Sequence, residues 1–265
     1  MKRCISLILI LVVFLSACSA PAAPPTEATV PETTVPETTV PETTIPPTTA
    51  PTAPAHSDLY REDLPLDQVL TYFHEVTAQI EYNEGSGDFS LIQKWLYPIL
   101  VEIKGEPTEQ DLQVLENFFK QLNQVSGFPG IAMATGLQQA NLTISFLNHQ
   151  EFQDEFSECI HGEDAWGATQ YWYYTDTNEI HTGRIGYRTD VPQLDRDSIL
   201  LEEIVNLLGI TDTVLREDSI VYQYSNSNLD LSDVDWLLLE LLYHPDIHCS
   251  MDAQQCEQII SELYH

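Results

Sequence analysis

Five residues, Val-Pro-Glu-Thr-Thr, repeat three times in succession from Val30 to Thr44, and they decide where this chain can build a core. Proline at every fifth position removes backbone donors and blocks both helix and sheet ladders. The scattered valines are too few to bury. The same Pro, Thr, Ala, Val and Glu composition runs from Ser19 to Ala55. The expectation is a disordered, polyproline-II-rich stalk acting as a semi-rigid spacer. Fully extended at about 3.1 Å per residue, it would reach on the order of 100 Å. It serves either as a passive tether or as a spacer through cell-wall polymer, with threonines open to glycosylation. What folds must lie beyond it. From Ser57 to His265 Trp, Tyr and Phe become frequent, and roughly 200 residues suit one domain with a sizeable core.

Ahead of the stalk stand Lys2 and Arg3, an apolar run from Ile5 to Phe14, and Leu15-Ser16-Ala17-Cys18. A basic start, a short apolar run and small residues before a cut describe an export signal over residues 1–17. The run falls short of the roughly 20 residues that span a bilayer. Ser16-Ala17 before a cysteine resembles the bacterial lipobox. That resemblance implies lipid transfer to the Cys18 thiol and cleavage before it, leaving residues 18–56 as the lipidated stalk. The protein would then sit on the extracytoplasmic face of the cell membrane, held to the lipid bilayer by its acyl chains. The alternative is an ordinary secretory signal with an incidental cysteine.

The chain carries 10 basic and 41 acidic residues, a net charge of −31. Losing Lys2 and Arg3 with the signal takes it to about −33. Such a surface repels nucleic acid and anionic membranes; it attracts cations or basic partners, or simply keeps an exported domain soluble. Cys159, Cys249 and Cys256 remain in the folded part. An oxidising compartment permits a Cys249–Cys256 bridge closing a short loop, with Cys159 left as a free buried thiol.

Apolar spacing predicts helices over Leu66 to Tyr82, Thr108 to Asn123, Arg196 to Leu208, Ser232 to Tyr243 and Asp252 to Leu263. Strands are expected over Ile99 to Ile103, Ile131 to Thr135, Leu142 to Leu147, Thr169 to Tyr174 and Glu179 to Tyr187, the last two as a hairpin. The plan is α+β: a mixed twisted sheet with helices packed on it and a smaller helical C-terminal subdomain.

Chemistry concentrates in Glu202-Glu203-Ile204-Val205-Asn206-Leu207-Leu208-Gly209-Ile210-Thr211-Asp212. A helical zinc-peptidase site puts two ligands at i and i+4, a general-base glutamate beside the first, a glycine turn, and a third ligand beyond it. Glu202, Asn206 and Asp212 occupy the three ligand positions, Glu203 the base position and Gly209 the turn. The segment resembles the metzincins, most closely the matrixin type. Asp218 to Tyr224, Leu231 to Asp235 and Leu242-Tyr243 resemble the matrixin segment that follows the site, with Val221 in place of the turn methionine. Lys94-Trp95, Pro98-Ile99, Gly105, the Glu202-Glu203 helix and Leu242-Tyr243-His244-Pro245 resemble the uncharacterised domain-of-unknown-function family 2927. The likeness runs from about Leu66 to Leu263.

The resemblance implies a zincin-like fold without zinc-binding histidines. Two carboxylates and an amide are hard oxygen donors, suited to a divalent cation such as Ca²⁺, Mg²⁺ or Mn²⁺ rather than to zinc. Without zinc, Glu203 has no activated water to deprotonate. The expectation is a pseudoenzyme that needs no cofactor and binds a peptide or cell-wall component. The rival expectation is a metal-dependent hydrolase with Glu203 as base. A plainer reading makes Ser198, Glu202 and Asn206 a solvated polar strip on an apolar helix. His149, His161, His181, His244 and His248 have no zinc spacing. Trp166 and Trp172, in the region of the matrixin edge strand, are the expected cleft aromatics, able to stack on a peptide or a sugar ring.

Overall fold

The computed structural model describes residues 57–77, 91–159 and 165–265. The expected export signal, Cys18, the expected stalk, the expected end of the first helix at Tyr82 and His161 lie outside the described residues. The order is α1 (Leu66–Thr77), β1 (Lys94–Trp95), β2 (Ile99–Gly105), α2 (Glu109–Leu122), β3 (Ile131–Met133), β4 (Leu142–Leu147), α3 (His149–Phe156), β5 (Gly167–Tyr173), β6 (Glu179–Arg188), α4 (Gln193–Leu207), α5 (Asp233–Leu242) and α6 (Ala253–Leu263). The fold is α+β, with six helices and a six-stranded, mostly parallel sheet among the described residues.

The strands lie in the order β1-β6-β4-β2-β3, all parallel to their neighbours, and β5 pairs antiparallel with β6. Strand alternation divides the side chains between two faces. On one face Ile144, Ile185 and Tyr187 meet Leu200, Ile204 and Leu207 of α4 in the main core. On the other, Ala168 packs with Phe152 and Phe156 of α3. The helices α5 and α6 form no separate subdomain, because Leu237, Leu241, Cys256 and Ile260 belong to the same core as α1 and α4.

Four helices start on reciprocal side-chain caps. Thr108, Asn148, Ser232 and Asp252 each accept from the third helical N–H, while the acid or amide three residues on returns a bond. The start of α4 relies instead on Arg196, whose Nε donates to Asp111 at 2.8 Å and whose Nη1 donates to the Thr189 and Val191 carbonyls. Burial works against the Asp111 charge, yet bonds from Gln193, Thr108 and Arg196 hold its carboxyl below the usual range.

At its C-terminal end, α4 has its freed carbonyls satisfied from outside. Trp95 Nε1 donates to Leu207 O at 3.0 Å, and Tyr243 Oη donates to Leu208 O at 3.1 Å. Gly209 then reverses the chain at φ +101°, where a Cβ would stand 2.2 Å from Gln93 O. Lys94, buried beside Trp95, donates through Nζ to the Leu242 and Ile247 carbonyls and so closes the end of α5.

Candidate functional site

The aliphatic residues of α4 have to be buried, and the helix buries Ile199, Leu200, Leu201, Ile204 and Val205. Of the strip Ser198, Glu202 and Asn206, Ser198 is fully buried while Glu202 and Asn206 are half-buried. Glu203 beside them is only 9% exposed. The close approach of β5 explains Glu203: a Cβ on Gly167 would stand 2.5 Å from both Glu203 Oε1 and Ile199 Cγ2. Thr169 Oγ1, two residues along β5, donates to the Glu203 carbonyl at 2.8 Å.

Burial raises the pKa of Glu203, a bond from the Thr169 side chain offsets part of the rise, and the nearby Asp212 charge adds to it. Glu202 is raised by burial, then by Glu203 and Asp212. No described Lys, Arg or His forms an ion pair with either glutamate. Carboxyls clustered without a compensating cation favour the protonated form.

Asn206 and Asp212 also come together, since Asn206 Nδ2 donates to Asp212 Oδ1 at 3.2 Å. The pairing depends on the turn at Gly209 and on the segment beyond. Thr213 N donates to Val221 O, and Gln223 N donates to Thr213 O. Ser219 Oγ donates to Asp235 Oδ1 at 2.5 Å, and Ile220 N donates to Asp235 Oδ2 at 3.0 Å. Asp235, which also closes the α5 cap, therefore fixes the turn carrying Val221.

These donors do not fit zinc. Two carboxylates and an amide are hard oxygen donors rather than the nitrogen and sulfur that zinc prefers, and the Asn206 amide already faces Asp212. Among the described residues no group of three or more His, Cys, Asp or Glu side chains stands where it could hold a metal.

Above α4 the two glutamates line a cavity of about 310 Å³ with Trp166, Gly167 and Asn226. A second cavity of about 420 Å³ adjoins it, sharing Trp166 and Asn226 and reaching Gln223, Tyr224 and Asp195. Together they make a cleft with Trp166 at its middle. Sequence reasoning reached this loop only as far as Tyr224 and missed Asn226, whose only signal is the polar run Ser225-Asn226-Ser227-Asn228.

Two expectations are corrected. Trp172 is not in the cleft. It faces the α3 side of the sheet, its ring 5.9 Å from the Arg184 guanidinium carbon. Trp166 precedes β5, so strand alternation does not tie the two rings to one face. Cys249 and Cys256 are free thiols rather than a bridge. Cys249 Sγ donates to Lys94 O at 3.7 Å, while Cys256 is turned into the core from α6. Cys159 is also free, though only half-buried.

Fold and site define an α+β domain with a mostly parallel sheet, in which α4 presents the carboxyls of Glu202 and Glu203 to an open cleft. The chain belongs to the DUF2927 family, described as a protein of unknown function, whose model matches residues 67–262. No curated protein matches the chain.

Proposed function

We propose that this protein is a lipid-anchored, extracytoplasmic domain related to the metzincins, whose degenerate site no longer catalyses and whose cleft docks a peptide segment of the cell envelope. The observation carrying this reading is the cleft over α4. It lies over the helix that carries the metzincin-like spacing, and its walls include Trp166, Asn226 and two carboxyls biased towards neutrality. Neutral acids and an indole offer hydrogen bonds and a stacking face to a peptide. They do not offer the strong donors that would lower the pKa of a bound water.

The test uses the full chain. A displayed library of random dodecapeptides is panned against the wild type, and the enriched peptides are then titrated against Trp166→Ala and Glu203→Gln. Enrichment lost in Trp166→Ala supports the cleft, whereas peptides bound equally by both variants would place binding elsewhere. The library is also incubated with the protein in Zn²⁺ or Mn²⁺. Chelator-sensitive cleavage that disappears in Glu203→Gln would replace this reading with a metal-dependent hydrolase.

A further inference from the structure

The sheet face opposite the cleft carries a second set of rings that the cleft does not use. Ala168, Gln170 and Trp172 alternate onto the α3 side of β5. A bulge in the hairpin then adds to that face. Trp172 lies opposite Thr182 and Tyr173 opposite Ile180, so His181 is the extra residue. Bulges re-aim side chains. Ile180 belongs to the main core, and a Cβ on Gly183 would meet Leu207 of α4, so His181 and Thr182 are both left to the outer face. His181 stacks there on Tyr174, with ring centroids 4.3 Å apart and planes 25° apart.

Arg184 braces the neighbouring ring. Its guanidinium carbon is 4.8 Å from the Phe156 centroid and 5.9 Å from that of Trp172, and its Nε donates to Gln170 Oε1 at 2.8 Å. Trp172 is nevertheless 40% exposed and Tyr174 50%. Two supported flat surfaces thus face solvent two residues apart, roughly 7 Å along the strand.

Rings held in place yet left open to water offer stacking faces to a ligand. Gln170 and Arg184 supply polar groups at its border. Nucleobases could stack on these rings, but a chain of net charge −31 repels their phosphates, and anionic polymers with them. Pyranose rings combine apolar C–H faces with hydroxyls at the edge and carry no charge. We propose that this face binds a neutral polysaccharide strand, with sugar rings stacked on Trp172 and on the Tyr174–His181 pair.

The test titrates the full chain with cellohexaose and with a hexamer of N-acetylglucosamine, followed by calorimetry and tryptophan fluorescence. Saturable binding of at least one is expected, weakened about ten-fold or more by Trp172→Ala and separately by Tyr174→Ala. Trp172→Phe should retain most of it. Trp166→Ala in the cleft should leave it unchanged, which keeps this proposal separable from the peptide reading. Tyr174→Ala, at the exposed hairpin end, decides the matter if Trp172→Ala fails to fold. Absence of binding to either sugar at millimolar concentration overturns the proposal, as does binding that both alanine variants leave intact.

Discussion

At Glu203 a carboxyl sits against Gly167 and Thr169 with no described base in an ion pair with it; burial raises its pKa, a bond from Thr169 offsets part of the rise, and Asp212 adds to it. The folded state therefore keeps a proton that the unfolded chain releases at the ordinary glutamate value of 4.5. Stability from this group is fully present below that pH and is lost as pH rises through the raised folded value. Glu202 acts with the same sign. In Glu203→Gln the uncharged amide removes this dependence. Urea unfolding should find the variant more stable than wild type at pH 8, by about 1 kcal/mol or more, with the gain vanishing near pH 4. An unchanged difference across that range would mean that the carboxyl is not desolvated. Gly167→Ala tests the same contact from the other side. Its methyl would overlap Glu203 Oε1 and Ile199 Cγ2, and a loss of about 1–3 kcal/mol is expected from overpacking.

For the elements, α4 stands or falls by its ends. Its first turn is tied to α2 through the buried Arg196–Asp111 pair, whose side chains are 6% and 0% exposed. Asp111→Ala would leave the guanidinium buried without its carboxylate, costing about 3–5 kcal/mol in chemical denaturation. At the other end Trp95→Phe keeps the ring and removes the donor to Leu207 O, for a cost of about 1–3 kcal/mol. Little of this was legible in the sequence. Lys94-Trp95 and Leu242-Tyr243 drew notice only through family resemblance, because a side chain capping a distant carbonyl leaves no periodic trace. Strong periodicity did reveal β2, β4, β6 and five helices within a few residues. In α3, by contrast, Phe152 and Phe156 are the only buried positions in His-Gln-Glu-Phe-Gln-Asp-Glu-Phe, too few to establish a period. Its capping box, Asn148 with Glu151, was the signal available. The i, i+4 spacing of Glu202 and Asn206 located the site's helix, and Gly209 its turn. The opposite faces of Trp166 and Trp172 could not be read, since that depended on where β5 begins and where it bulges.

For the whole molecule, one continuous core gathers α1, α2, α4, α5 and α6 on one side of the sheet, leaving two surfaces available, the cleft and the outer aromatic face. No described helix is long and apolar enough to cross a membrane; the proposed membrane attachment rests on the lipobox resemblance at Cys18. The argument is one of free energy. A single acyl chain holds a protein only marginally and reversibly, whereas two or more make a stable anchor. A diacylglycerol thioether on Cys18 would therefore be enough to retain a domain that its own net charge of −31 pushes away from anionic lipid. Cys18→Ser removes the acceptor sulfur and leaves the folded domain untouched. Expressed in a bacterial host fed labelled palmitate, the wild type should take up label and sediment with membranes, resisting extraction by high salt but not by detergent. The variant should be unlabelled and absent from the washed membranes unless its uncleaved signal retains it, in which case replacing residues 1–17 with an ordinary secretory signal should free it. Label persisting in Cys18→Ser would place the lipid elsewhere on the chain, and an unlabelled wild type would make the lipobox resemblance incidental.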